Sequence, residues 1–298
     1  MDKTKNYGNI IIACVLVCLT ICGSFFDYEI ASFLYVGQQP AENLFGIIFA
    51  FIGIIPTFVG WSFLGASIFY LAKKQVVGQT KRRWLIALSI LLFILSFFFF
   101  YNTIMMVNSN AFPIHWAIAY PVGISIIIGA AFLGYKLSKI SANPKLLKSI
   151  LFLTCVSLVV MAIVMATKGI MNRPRYRFVL ENANPEYFRN WWQSGKDIKE
   201  SLATKTVTDE FSSFPSGHSA YSMFAIFLFP AFAEYLPKLN KYKTILYVGG
   251  IIWWALTALS RLTVGAHYLT DVCIAAFVTV ICYEVVKIIW RLIENRKN

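Results

Sequence analysis

Residues 84–135, WLIALSILLFILSFFFFYNTIMMVNSNAFPIHWAIAYPVGISIIIGAAFLGY, run from Trp84 to Tyr135 without one Asp, Glu, Lys or Arg, and with a single histidine, His115. As one helix the stretch would extend roughly 78 Å at 1.5 Å per residue, against a hydrocarbon layer of about 30 Å. It must therefore turn back on itself. Asn108, Ser109, Asn110 and Pro113 gather turn formers near its middle, and proline cannot continue a preceding helix. The reading that follows is two membrane-crossing helices joined by a short turn.

Outward from this pair, the sequence repeats the pattern. Uncharged stretches occupy 6–26, 43–72, 149–167, 211–233 (apart from His218) and 244–260, and a last span starts around His267 to Asp271 and reaches about Ile289. Each is long enough to cross a bilayer as a helix, which makes eight crossings. The chain is 58% hydrophobic and 14% charged, with mean hydropathy +0.64, far too apolar for a water-soluble domain of 298 residues. The expected fold is an all-α polytopic bundle forming one integral-membrane domain over 1–298. Its only substantial extramembrane piece is the segment from about Lys168 to Ser213.

Charge orients the bundle, because Lys and Arg in short loops stay on the cytoplasmic side. With both termini inside, eighteen of the twenty-seven cations fall on the cytoplasmic face, while ten of the fourteen acids fall outside with the other nine cations. The net charge of +13 thus belongs to one face. It follows span ends instead of forming a stripe beside stacking aromatics, so nucleic acid is excluded as a partner. The expected location is a cell membrane, multi-pass, with the outer segment extracytoplasmic.

The six cysteines lie within spans and read as buried small apolar residues rather than disulfides or ligands. Cys22-Gly23-Ser24 before two phenylalanines is a poor cleavage site, so the first span is expected to be retained. Tyr187, Phe188, Trp191 and Trp192 among Arg189, Lys196 and Lys199 suit a short amphipathic helix at headgroup level, as anchor or lid. Nothing between Asp27 and Asn43 suggests chemistry, and His115 reads as interfacial.

Chemistry concentrates near the C-terminal end. His267 and Asp271 are four apart. If the last helix starts near His267 they share a face, and the carboxylate accepts a hydrogen bond from one imidazole nitrogen, leaving the other free to attack. The competing account is an acid at a helix N-terminus beside an interfacial histidine. Pro215-Ser216-Gly217-His218 opens another span: Ser216 is a natural cap, and Gly217 lets the backbone approach an anion. Lys168 and Arg175 fall on the same outer face, with Arg175 on an extended exit after Pro174. Arg173, Arg175 and Arg177 alternate, so they share one side of that segment or touch lipid headgroups. Lys168, Arg175, Arg261, Ser216 and Gly217 together describe a phosphate site. Three fixed cations can neutralise the developing phosphoryl charge, so no metal or cofactor is expected.

These strings resemble the signature of the membrane-bound type 2 phosphatidic acid phosphatases: Lys, six residues and Arg-Pro; Pro-Ser-Gly-His; Ser-Arg, five residues, His, three residues, Asp. The second and third match fully at Pro215 to His218 and at Ser260, Arg261, His267 and Asp271. The first matches at Lys168 and Arg175 but carries Tyr176 in place of proline. The resemblance spans about Lys168 to Asp271. It implies a six-helix core, here 84–298, with 1–83 as added N-terminal helices. It also implies that His267 attacks phosphorus to give a phosphohistidine, that Asp271 orients it, and that His218 protonates the leaving alkoxide and then helps water release phosphate. Lys168, Arg175, Ser216, Gly217 and Arg261 would hold the phosphoryl oxygens.

The expected activity is hydrolysis of a lipid phosphate or diphosphate at the outer membrane face. Phosphatidylglycerol phosphate, phosphatidic acid and an isoprenyl diphosphate all qualify as substrates. A phosphotransferase with the same intermediate is the alternative. A transporter is disfavoured because the polar residues gather at one surface, and the related soluble haloperoxidases would not need so much lipid-facing surface.

Overall fold

The computed structural model describes residues 3–38, 42–74, 78–110, 116–141, 143, 145–202 and 208–296. The long helices are α1 (Lys3–Leu34), α2 (Leu44–Ile52), α3 (Ile55–Lys74), α4 (Gln79–Asn110), α5 (Trp116–Ile140) and α6 (Leu146–Met171). Two short helices follow, α7 (Tyr176–Glu181) and α8 (Lys196–Ser201). The chain then forms α9 (Gly217–Met223), α10 (Ala225–Tyr235), α11 (Lys243–Thr263) and α12 (Leu269–Asn295). No strand occurs among the described residues, and the all-α bundle read from the sequence is the fold observed.

Among the described residues, seven helical stretches are long and apolar enough to cross a membrane: α1, α2 with α3, α4, α5, α6, α11 and α12. The expected crossing at 211–233 takes another form. Its first residues are loop, and the helix breaks at Phe224 into α9 and α10, which only together carry the chain from His218 at one end of the bundle to Glu234, beside Lys243, at the other. Pro230 inside α10 cannot donate to the carbonyl one turn earlier, which weakens the helix close to that break. The doubling back of residues 84–135 is as expected. Tyr101 near the end of α4 stacks on Tyr120 near the start of α5, centroids 5.8 Å apart. His115 and the rest of the turn, 111–115, lie outside the described residues.

Helices in lipid gain little from burying apolar surface against each other, so small residues and hydroxyl-to-carbonyl bonds bring them together. On α3, Ser62 donates to the Ile127 carbonyl of α5 at 2.8 Å. From α4, Ser89 and Ser96 donate to the Gly65 and Phe58 carbonyls of α3, both at 2.8 Å. A Cβ on Gly134 would lie 2.2 Å from the Phe63 carbonyl oxygen, so only glycine permits that approach. Trp61, fully buried, ties α3 to α6 by donating to the Ser157 hydroxyl at 3.0 Å.

The first and last helices run antiparallel along a polar seam. At one end Asn9 donates to Glu284 at 2.7 Å and accepts from the Tyr247 hydroxyl at 2.8 Å. At the other end the Thr270 backbone donates to Asp27 at 3.0 Å. The histidine strings, Lys168 and the three arginines gather at this second end, whereas the Lys148–Glu294 and Lys243–Glu234 pairs sit at the first.

Two expectations about α1 and the outer segment are corrected. Cys14, Cys18 and Cys22 are exposed on the outer side of α1, because its polar positions, not these, face α12. Residues 185–201 do not form one amphipathic helix. A 3-10 turn at Pro185–Tyr187 gives way to irregular chain before α8, since tertiary partners claim the aromatics separately. The Trp191 indole donates to Ser24 of α1 at 2.9 Å and stacks on Phe214, while Phe188 packs edge-on against Tyr28 and Tyr268.

Candidate active site

Backbone hydrogen bonds align the three motif-bearing segments. α6 ends where Asn172 adopts a left-handed conformation (φ 45°, ψ 40°), and Arg173 to Arg175 continue extended, as Pro174 demands of its predecessor. This stretch pairs with the loop before α9: Arg175 N–H donates to the Glu210 carbonyl at 2.8 Å, and Ser213 N–H to the Arg173 carbonyl at 3.0 Å. The loop in turn meets α12, where Ser216 N–H donates to the Asp271 carbonyl at 3.1 Å. Tyr176, the departure from the family signature, opens α7. Proline is favoured at that first helical position but not required there, and the buried Tyr176 ring packs on Tyr28, Tyr35 and Tyr268.

The spacing between Arg261 and His267 has a similar local cause. α11 stops at Thr263, and Gly265 takes φ +63°, the left-handed geometry that glycine supplies after a helix end. The turn folds the chain back so that Ala266 and His267 N–H both reach the Arg261 carbonyl, at 3.1 and 3.3 Å. Arginine and imidazole are thereby held as neighbours.

One cavity of about 400 Å³ collects most of the expected residues: Lys168, Arg175, Gly217, His218, Arg261 and His267 line it. Arg177 and Asp209 join them in the polar wall. Lys168 Nζ donates to the Ser212 carbonyl, Arg175 holds Asp209 at 2.9 Å, and Arg261 donates to the Gly46 carbonyl of α2. Gly217 is not demanded by its protein neighbours, since a Cβ there would meet Tyr221 and Lys168 at ordinary contact, 3.5 and 3.7 Å. The space it spares belongs to the cavity.

The two imidazoles face that cavity with fixed tautomers. His267 Nδ1 lies 2.6 Å from the Ser213 carbonyl; a carbonyl only accepts, so Nδ1 carries the proton and Nε2 the lone pair. Burial lowers the His267 pKa from 6.5 to about 3, which keeps the ring neutral and nucleophilic at pH 7. His218 Nε2 lies 3.0 Å from the Ala50 carbonyl of α2. That nitrogen is the donor by the same logic, and Nδ1 remains for proton transfer.

Two expected site residues stand elsewhere. Asp271 does not receive a hydrogen bond from His267: the gap is 3.8 Å, too long for one, because α12 begins at Leu269 and His267 precedes it off the helical face. Asp271 instead accepts from the Ser213 hydroxyl at 2.5 Å, the Tyr268 N–H at 2.8 Å and Arg173 at 2.6 Å. It caps its helix and shares Ser213 with His267 as a hydrogen-bond partner. Ser216, fully buried, is absent from the cavity wall; its hydroxyl accepts the Ser219 N–H as the cap of α9.

Arg173 is corrected as well. It neither touches headgroups nor shares a side with Arg175 and Arg177. It is fully buried, paired with Asp27 at 2.9 Å and Asp271 at 2.6 Å, whereas Arg177 turns to Glu210. Sequence reasoning missed Asp27, Ser213 and the α2 carbonyls. Asp27, an acid directly after an apolar run, carried a signal; a backbone carbonyl carries none.

The cavity is a cationic recess with two imidazoles at one end of a helical membrane bundle, and its cations and N–H groups are donors of the kind a phosphoryl group takes. The match to the PAP2 superfamily model over residues 147–297, half of the chain, establishes that the chain belongs to that superfamily. Among curated proteins it is 37% identical over 71 residues to "Phosphatidylglycerophosphatase B" of Bacillus subtilis (strain 168), a match covering 22% of this chain and 33% of that protein. The chain thus aligns with about a third of that relative's length. No solved structure matches it significantly.

Proposed function

We propose that this protein is a membrane lipid phosphatase that works through a phosphohistidine. The observation that carries the reading is the composition of the one cavity. Lys168, Arg175, Arg261, His218 and His267 line its polar part, and Ile47, Ile54, Phe58, Phe98, Phe99 and Met165 line the rest. Phe98 and Met165 are also more than half exposed on the surface that lipid would cover. A phosphate joined to a hydrocarbon tail matches both parts, while a water-soluble phosphate would leave the apolar part unused.

In this mechanism His267 Nε2 forms a bond to phosphorus as the bond to the lipid oxygen breaks. His218 Nδ1, unprotonated at rest, takes the proton that the substrate's phosphate monoanion carries in and gives it to the leaving alkoxide. It then takes a proton from water as the water oxygen attacks phosphorus, which frees inorganic phosphate and restores His267. Lys168, Arg175 and Arg261, with the backbone beside Gly217, stabilise the charge on the equatorial oxygens. No metal ion is needed for that charge balance. The positive-inside distribution puts this end of the bundle outside the cell membrane, with both termini cytoplasmic.

Phosphatidylglycerol phosphate, named in the Bacillus relative's activity, heads the candidate substrates, followed by phosphatidic acid and an isoprenyl diphosphate. Phosphate release from each lipid by purified protein, with and without chelator, tests the reading. Release undiminished by chelator is expected; no release from any of the three, or dependence on a metal, would overturn the corresponding part. Release without an added lipid alcohol also separates hydrolysis from transfer to a second lipid.

A further inference from the structure

Asp27 stands on α1, outside all three motifs, yet is only 2% exposed. Its Oδ1 accepts from the Thr270 backbone at 3.0 Å, and its Oδ2 accepts from Arg173 Nη2 at 2.9 Å and from the Thr270 hydroxyl. The Arg173 guanidinium and the Thr270 N–H can only donate, and such partners favour the ionised carboxylate. Arg173 passes the connection on. Its Nη1 donates to Asp271 Oδ1 at 2.6 Å, its Nε to the Arg189 carbonyl at 2.7 Å, and its guanidinium lies 4.1 Å over the Tyr268 ring. Asp271 Oδ2 then accepts from the Ser213 hydroxyl at 2.5 Å, and the Ser213 carbonyl accepts from His267 Nδ1 at 2.6 Å. Asp27, Arg173, Asp271, Ser213 and His267, from four parts of the chain, form one line to the imidazole, its last link made by the Ser213 main-chain carbonyl.

Charge bookkeeping along that line gives it a function beyond holding helices together. Two carboxylates and one guanidinium leave one excess negative charge, buried behind the imidazole. Without Asp27, Arg173 and Asp271 would cancel. When Nε2 bonds to phosphorus the ring becomes positive, with Nδ1–H directed at this line, and a fixed negative charge in a low-dielectric site favours that change.

We propose that Asp27 is a positioning residue for phosphoryl transfer, acting through Arg173 and Asp271, and that α1 is thereby part of the reaction centre. This rests on His267 being the nucleophile. The competing account is a buried ion pair that only docks α1. The two differ in what they do to kcat. Full-length variants are purified and assayed on whichever of the three candidate lipids the wild-type protein turns over fastest, with rates expressed per monodisperse molecule.

Asp27→Asn, three residues removed from the imidazole, should lower kcat about 10-fold, the low end of what loss of a direct outer partner of a liganding histidine costs. KM should stay within about threefold, since the interaction matters in the transition state. Asp27→Glu, which restores the charge, should regain part of the loss. Asn9→Ala cuts the same α1–α12 seam at its far end and should retain wild-type kcat. Asp27→Asn with wild-type kcat, or an equal loss in Asn9→Ala, overturns the proposal. Where Asp27→Asn does not yield folded protein, Arg173→Lys keeps the cation but cannot bridge both carboxylates, and wild-type kcat in that variant is equally decisive. Turnover by His267→Ala would instead remove the underlying nucleophile assignment.

Discussion

His267 combines near-complete burial with a hydrogen bond at only one nitrogen, and its two expected behaviours follow. Replacing it by alanine should abolish phosphate release and trapping of a labelled phosphoenzyme, while the protein still elutes as a folded species. Its depressed pKa also bears on stability. In the unfolded chain the ring takes a proton near pH 6.5; in the folded chain it does so only near 3. Between those values the unfolded state binds the extra proton, so its share of stability is present above about 6.5 and is lost as pH falls toward 3. The wild-type melting temperature should therefore drop more steeply on acidification through this window than that of His267→Asn; parallel curves would count against a neutral buried ring.

At this scale the sequence disclosed side chains and hid their connections. Lys168, Arg175, His218, Arg261 and His267 were legible because titratable groups at the ends of apolar runs are costly unless used, and Gly217 because a helix start without a Cβ admits an anion. The Asp271 contact was misjudged because it depends on where α12 starts, and a helix boundary two residues later removes His267 from the shared face. Ser216 was legible as a cap, and its hydroxyl accepts the Ser219 N–H; that it lies outside the cavity wall depends on the fold around it.

Among elements, α2 and α11 carry more than their lengths suggest. The α2 carbonyls of Gly46 and Ala50 hold Arg261 and His218, and α2 is kept close by glycine: a Cβ on Gly53 would lie 2.5 Å from the Thr257 methyl of α11. Two turns earlier on α11, a Cβ at Gly250 would come within 2.6 Å of the Ile226 backbone of α10. Backbone cannot yield as a flexible side chain does. Gly250→Ala should accordingly destabilise the protein by about 1–3 kcal/mol, typical of overpacking, measured as a lowered melting temperature with KM little changed in the fraction that folds. Long uncharged runs disclosed almost every helix. The break at Phe224 and the irregular course of 188–195 were not legible, because partners distant in sequence decide them.

Across the whole molecule, polarity is distributed by end. The cavity's cations and imidazoles occupy one end and the Lys148–Glu294 and Lys243–Glu234 pairs the other, as the distribution of charge along the sequence implied. Single-cysteine variants in a cysteine-free background test which end faces outward. Lys196→Cys should react with an impermeant maleimide in intact cells, and Lys148→Cys only after the membrane is opened. The reverse labelling would invert the proposed orientation.

The seam between α1 and α12 also bears on how the protein is made. Asp27 emerges with the first helix, Arg173 after the sixth, and Asp271 with the last, so the earliest charge waits through nearly the entire synthesis for its counterparts. A chain that stops before α12 already carries both imidazoles yet lacks Asp271, the residue that joins Ser213 to Arg173. The polar line from Asp27 to His267 is thus completed in one step, as the closing helix locks against the opening one.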